Sequence, residues 1–527
     1  MTGSPAPAAT IKRPRDLRLD FFRGLAMFII LVAHTPGNSW TLWIPARFGY
    51  SDAAEIFVFC SGMASAMAFG STYVARGWLI GAARVAFRVW QVYWAHIGVI
   101  LVTTLLMILL DRSGMGPEGR AYTNWWPVSG FFRDAEAALL GYFTLTYVPG
   151  LFDILPMYLA ILAMIPVIML AHHLGGRMAV FGVVAAVWFA AQLAIWRYSL
   201  GGEETHALGE MLATLGGAFS FMSLPSNPWG KGTWFFNPFG WQIVFFTGFA
   251  LGMKWLTPPP VTRGLVLAAA GYLIVSIPFA WHKIHGVGYL PEDWVIRVWI
   301  ADARNFLGPL IGKAGVGPLR YLHFLAIAYL AWAAVGPDGA RLRSGWRPPR
   351  AILDKAWLAA LVGLALLTAP YAYVDEIRAL SPALDSWLLA VMGRFGLIAD
   401  PGRIGVAQLA HLGALIVLIW SAIGPERRAW VTGEGFLAIV PVIRKVGTQS
   451  LAVFMVSIVL GRFNGWWLDV IGRDVWTYAL VNLTGFAALV ATAYVVGWFK
   501  AEPWRRVKER HRDEAPARVA ASRTPAE

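Results

Sequence analysis

Apolar runs of about 20 residues recur along the whole chain, separated by short polar or basic segments. A helix of about that length crosses a bilayer core of about 30 Å. Twelve such segments are read at 17–34, 52–70, 78–110, 151–170, 179–200, 239–253, 264–281, 319–336, 356–373, 405–424, 447–460 and 475–499. The pattern predicts an all-α polytopic transmembrane helical bundle. The third segment is too long for one straight crossing, so its first turns are expected outside the hydrocarbon. Residues 1–16 are basic and Pro/Ala-rich, with no small-residue cleavage site after the first apolar run, so no cleavable signal is read. Both termini are then expected in the cytoplasm, with a basic segment 1–16, a membrane body 17–499 and a basic, disordered cytoplasmic tail 500–527.

Composition agrees with that class. Of 527 residues, 57% are hydrophobic and only 14% charged, against about 25% charged in ordinary soluble domains. Mean hydropathy is +0.57. Disorder, fibrous repeats and a soluble enzyme are excluded. Cys60 is the single cysteine, which excludes a disulfide within the chain and a thiolate metal cluster. No metal site is expected either, because His172 and His173 form a turn pair without further ligands.

The net charge of +14 invites a nucleic-acid reading, but its distribution argues otherwise. The inferred cytoplasmic segments (1–18, 71–77, 171–178, 254–263, 337–355, 425–446, 500–527) hold 25 Lys/Arg and 10 Asp/Glu, leaving 19 and 20 elsewhere. That asymmetry is the positive-inside bias of a membrane protein; no nucleic acid is expected as a partner.

In so apolar a chain, ionisable groups inside spans are the candidates for function. In the first span Arg23 and His34 are eleven residues apart, which places them on one face and about 16 Å apart along the axis. Asp20 can pair with Arg23 at i, i+3. Asp52 and Glu55 open the second span on the outer side, level with His34. A carboxylate accepting from one imidazole nitrogen leaves the other to take a proton from a nucleophile; Asp52 with Ser51 can equally serve as a helix N-cap. Arg84 and Arg88 lie one turn apart at the cytoplasmic start of the third span, followed by Gln91, and two guanidiniums on one face suit a phosphate or pyrophosphate. His96 reads as a core residue. His323 with Arg320 reads as packing or as a substrate contact.

Two helices share a His, a Trp nine residues later and Gly-Pro: His323, Trp332, Gly336, Pro337 and His411, Trp420, Gly424, Pro425. This is a small duplication or a chance recurrence in Leu/Ala-rich helices.

Four stretches together resemble a known family: RDLRLDFFRG (15–24) with the Arg23-x10-His34 spacing, FGYSDAAEIFVFCSG (48–62), FDILPMY (152–158) and GTQSLAVF (447–454). They look like the OpgC membrane proteins of osmoregulated periplasmic glucan biosynthesis, within the wider acyltransferase-3 superfamily. The resemblance covers roughly 15–335 and resumes at 447, so 340–440 reads as an insertion adding two spans. It implies a bacterial inner-membrane O-acyltransferase that adds succinyl groups to a periplasmic glucan. Succinyl-CoA would be the donor substrate, with no permanently bound cofactor and glucan-biosynthesis proteins as further partners beside the bilayer. The superfamily's catalytic histidine maps to His34 and its paired arginine to Arg23. Its third-helix motif is usually Arg-x-x-Arg, where this chain has Arg84-x3-Arg88.

On that reading the CoA phosphates bind near Arg84, Arg88 and Arg23, and the pantetheine arm runs along the first helix to His34. His34 acts as general base, held by Asp52 or Glu55, with a His-linked acyl intermediate as the variant course. The succinyl carboxylate needs a cation, and Arg47, Arg133, Lys231 and Lys313 are the outer candidates. Asp153, Asn227, Trp229 and Trp125, with Trp126 beside it, are the acceptor-binding candidates, because flat rings flanked by amides and charges suit sugars. For single tryptophans an interfacial belt is the competing account, and for Asp153 the helix dipole. A transporter or flippase is the rival class, although its site would be expected at the midplane on broken helices.

Overall fold

The computed structural model describes residues 16–200, 207–286, 294–345, 362–363, 420 and 429–504. Regular structure among them is helical, apart from one isolated bridge between Pro225 and Thr233. The elements are α1 (Leu17–His34), α2 (Ala53–Ser65, continued by a wider turn Ala66–Gly70), α3 (Ser71–Arg112), α4 (Trp126–Arg133), α5 (Ala135–Thr144), α6 (Ile154–Leu200) and α7 (Ala207–Ala218). They are followed by α8 (Pro238–Gly252), α9 (Arg263–Ala280), α10 (His282–His285), α11 (Val295–Phe306), α12 (Gly308–Ile311), α13 (Pro318–Val335) and α14 (Arg341–Ser344). The last three are α15 (Phe436–Thr448), α16 (Ser450–Ile471) and α17 (Val475–Ala501).

Among the described residues, six helical stretches are long and apolar enough to cross a membrane: Ala53–Arg112, Ile154–Trp196, α9, α13, α16 and α17. The first two are too long to be single crossings, and both are broken at glycine. Gly77 has φ 79° and lies inside the first. The Arg84 guanidinium donates to Thr72 Oγ1 at 2.6 Å across twelve residues, which in a straight helix would lie about 18 Å apart. The chain therefore turns back at Gly77. The second stretch breaks at Gly175 and Gly176, the latter at φ 64°, a conformation that glycine adopts without a Cβ clash. Its two arms return to the same end, because Asp153 shares a cavity with Lys313 while Gln192 donates to the carbonyl of Gly315 at 2.6 Å.

Ten of the twelve apolar segments thus lie on described helices. The segments 356–373 and 405–424, the proposed insertion, the second copy of the proposed duplication, residues 1–15 and the tail from 505 lie outside the described residues but for 340–345, 362–363, 420 and 429–440. α1 carries Arg18, Asp20 and Arg23 in its first two turns and α8 has fifteen residues, so neither stands out as a span by length and composition. Packing nonetheless places both in the bundle: Met27 and Leu31 of α1 and Trp241, Phe245 and Phe249 of α8 are fully buried. One segment needs correction. The apolar run read as 447–460 continues as helix to Ile471, because Arg462, Asn464 and Asp469, which cut the apolar run, face protein.

Local chemistry explains the starts of these helices. The Asp16 side chain accepts the Arg18 N–H at 2.9 Å, and Asn237 accepts from Phe239 and Gly240 ahead of Pro238 at the first helical position; such caps satisfy otherwise orphaned amides. Small residues set the closest contact. A Cβ on Gly62 of α2 would lie 1.9 Å from the Phe245 carbonyl of α8, so these backbones approach as glycine alone permits. α1 lies against α2, α15 and α16. Its Arg23 donates to Ser450 at the start of α16, while the backbone of His34 meets Gly461 and Arg462. α1 and α16 therefore run parallel, and the bundle has an Arg23 end and a His34 end.

Candidate functional site

His34 is the last residue of α1, where the helix stops and Thr35 turns back to donate to the Leu31 carbonyl at 2.9 Å. Its imidazole lines a cavity of about 430 Å³ together with Arg47, Asp52, Asp153 and Lys313, over an apolar wall that includes Ile30 and Phe236. Five ionisable side chains from five separate stretches of sequence therefore meet in one place. Among the described residues no group of three His, Cys, Asp or Glu is arranged to hold a metal.

The charges are held by a network one layer behind the cavity. Asp52 caps α2 by accepting the Ala54 N–H at 2.7 Å, and Glu55 accepts the Asp52 N–H at 2.8 Å, a reciprocal capping box. Lys313 Nζ is 2.5 Å from Asp52 Oδ2, and Arg320 reaches the same oxygen at 3.7 Å. Arg320 Nε also donates to Glu55 Oε1 at 2.5 Å, with the Glu55 side chain fully buried. Two cations thus balance two carboxylates, the condition under which buried charge is tolerated. His323 supports the same turn, its Nδ1 lying 2.7 Å from Ser51 Oγ. Lys313 is fixed from behind, since its carbonyl accepts the Trp241 indole N–H at 3.0 Å.

Two expectations need revision. Neither Asp52 nor Glu55 bonds the His34 ring. Its Nδ1 is buried without a hydrogen-bond partner among the described residues, because Asp52 is committed to Lys313 and Glu55 to Arg320. His34 is held through its main chain instead, where Arg462 donates to its carbonyl. Secondly, Glu55 does not line the cavity; it supports Asp52 and Arg320 from below.

The remaining candidates separate by location. Of the four outer cations, Arg47 and Lys313 line the cavity, whereas Arg133 lies over the Trp229 ring at 5.5 Å and Lys231 is exposed on a loop. Asn227 and Trp229 shape that loop: Asn227 Oδ1 accepts the Trp229 N–H, the indole donates to Asp134 at 3.2 Å, and its ring meets Tyr147 edge-on. The Ala137 N–H, and then the Trp229 indole, hold the Asp134 carboxyl below its usual range. Trp125 borders a different cavity and is covered on one side by Arg462, 4.4 Å from its centroid. Arg84 is exposed and bonds Thr72, and Arg88 bonds Gln91 at 3.1 Å. Neither approaches His34. His96 is buried, and His172 stacks on Trp255.

Arg462 was missed because the eleventh apolar segment was ended before it. The available signal was an arginine within reach of a continuing apolar helix, which is costly unless it has a role.

The geometry can now be set beside known proteins. A family model described as OpgC protein matches residues 15–362 and 339–501. No curated protein and no solved structure matches the chain. Two matched ranges that together span most of the sequence, with His34, Asp52 and Asp153 converging inside the first, establish that this chain belongs to the OpgC family.

Proposed function

We propose that this chain is an O-acyltransferase of the acyltransferase-3 superfamily in the bacterial inner membrane. On this reading it moves a succinyl group from cytoplasmic succinyl-CoA to a hydroxyl of a periplasmic glucan. Membership of the OpgC family implies an acyltransferase role in glucan modification. The observation that carries the rest is the cavity in which a histidine whose Nδ1 has no hydrogen-bond partner among the described residues meets two cations and two carboxylates.

The His34 end faces the periplasm. His34 takes the proton of a glucan hydroxyl as its oxygen attacks the thioester carbonyl carbon. The new C–O bond forms, the C–S bond breaks, and the proton passes from His34 to the departing thiolate. Asp153 lines the same cavity and is offered to the acceptor hydroxyl, and Arg47 and Lys313 offer donors to the far carboxylate of a succinyl group, which a monocarboxylic acyl chain lacks. Arg84, Arg88 and Arg23 lie toward the opposite end and suit the CoA phosphates. The distance from Arg23 to His34 along α1, about 16 Å, is comparable with an extended pantetheine arm.

The test supplies purified protein in detergent with succinyl-labelled CoA and glucan. Label should move to the glucan and stop moving in His34→Ala. Transfer surviving that substitution removes His34 as the base, and movement of unmodified glucan across a vesicle membrane without transfer makes the protein a transporter. Label that stays on the wild-type protein when glucan is omitted marks the acyl-histidine course.

A further inference from the structure

The chain leads directly from the His34 cavity to a second one. Pro36, two residues on, lines a cleft of about 370 Å³ between the α3–α4 connection and the outer half of α16. Its chemistry comes from Arg120, Asn124, Trp125, Arg462, Trp466 and Asp469. We propose that this cleft is a binding subsite for a neutral sugar unit of the glycan acceptor, next to the unit being modified. The proposal rests on the acyl-transfer reading for the identity of the glycan, while the cleft itself is argued from its own groups.

First, the cleft carries charges of both signs, Arg120 and Arg462 with Asp469. Asp469 is held by Arg120 at 3.0 Å, by Arg473 at 2.5 Å and by the Tyr122 hydroxyl at 2.9 Å. A carboxylate placed among the cations sets acceptor oxygens beside cationic donors. It suits a ligand that both donates and accepts, as a hydroxyl does. Second, the Trp466 indole N–H is buried without a partner among the described residues, whereas buried tryptophan N–H groups normally have one. On the proposal a sugar oxygen supplies that partner. Third, Asn124 at the rim is exposed and its amide makes no side-chain bond among the described residues, so it is available to a ligand without being needed by the fold. Two aromatic walls with a few convergent polar groups make the usual composition of a small-molecule site.

Arg462 connects the two cavities. Its guanidinium lies over Trp125 in the cleft and donates to the carbonyl of His34. A sugar seated against Trp125 therefore rests on the same side chain that holds the backbone of the proposed base.

The experiment measures binding without any donor. Calorimetry follows linear β-glucan oligosaccharides of increasing length added to the purified full chain in detergent. Binding should be saturable and tighter for oligosaccharides than for glucose. Asn124→Ala and Trp466→Phe, the second keeping an aromatic ring but removing the N–H, should each weaken it about two- to tenfold, the loss of one hydrogen bond. An unchanged thermal midpoint verifies that each variant is folded. Absence of saturable binding, or two variants that bind like the wild type, overturns the subsite. Binding that weakens in both variants while the wild type transfers no label keeps the subsite and removes the acyl-transfer reading. Transfer with an unchanged KM for glucan in both variants removes the subsite and keeps that reading.

Discussion

The two ends of the bundle handle charge in different ways. At the His34 end, Asp52 and Glu55 from the start of α2, Lys313 from the turn before α13 and Arg320 from within α13 join across more than 250 residues of sequence. Together they form a neutral network beside a cavity. At the Arg23 end, Arg18 closes on Asp16 two residues away, Arg88 on Gln91 three away and Arg84 on Thr72 across the Gly77 turn. Two of these also reach distant helices, Arg23 at Ser450 and Arg18 over the Trp332 ring. The reaction end is therefore assembled by long-range packing before any ligand arrives. Of the arginines proposed for the donor, Arg84 and Arg88 are tied to near neighbours and can exchange those partly exposed bonds for phosphate oxygens.

Substitutions can break or sharpen this contrast. The largest effect is expected from His34→Ala, which should lower label transfer by about 10²–10⁴-fold, the usual contribution of a general base. The thermal midpoint should hold, because Nδ1 of the ring has no hydrogen-bond partner among the described residues. A parallel loss of stability would instead make His34 structural. Next, Arg320→Ala leaves Glu55 buried and unpaired, and breaking such a pair costs about 3–5 kcal/mol. Denaturation in detergent should show this, and the double change Arg320→Met with Glu55→Leu should recover most of it. If Arg320→Ala is neutral, the network does not support the reaction end.

Lys313→Met comes third. It should raise KM for succinyl-CoA about tenfold, the scale of one charge-assisted hydrogen bond, and leave transfer of an acetyl group from acetyl-CoA less affected. Equal losses for both acyl groups would assign Lys313 to the fold rather than to the carboxylate. The smallest effect belongs to the opposite end. Arg84→Ala with Arg88→Ala should change stability by no more than about 0.5 kcal/mol, as surface substitutions do, while weakening the donor without lowering kcat. An unchanged KM for the donor would move the phosphate site elsewhere.

How much of this was legible beforehand depends on the range of the interaction. Asp52 and Glu55 were readable as a pair because a capping box is local, i to i+3. Connections at 71–77 and 171–178 were readable from the span pattern, whereas the glycines that make the reversals, Gly77 and Gly175–Gly176, emerge from the structure. The partner of each carboxylate was not readable: Lys313 and Arg320 stand about 260 residues from Asp52 and Glu55, and spacing along one helix says nothing about them. The same limit explains why a carboxylate–imidazole bond was expected and is absent. Proximity in level along the membrane was inferred correctly, but competition from Lys313 was invisible. Trp229 and Asn227 were chosen for composition alone, and the fold uses them to lock a loop to Asp134 and Tyr147.

By itself the sequence determined the class of molecule, the positions of most described helices and the short list of ionisable residues. Each of these depends on the burial of about 20 consecutive apolar residues or on contacts within one helical turn. Tertiary structure decided which listed charges meet. It selected Lys313 and Arg47 over Arg133 and Lys231, placed Glu55 behind the cavity rather than in it, and brought Arg462 to the backbone of His34. Those choices follow from helix packing across hundreds of residues, where a close contact such as Gly62 against Phe245 fixes the register of one helix on another.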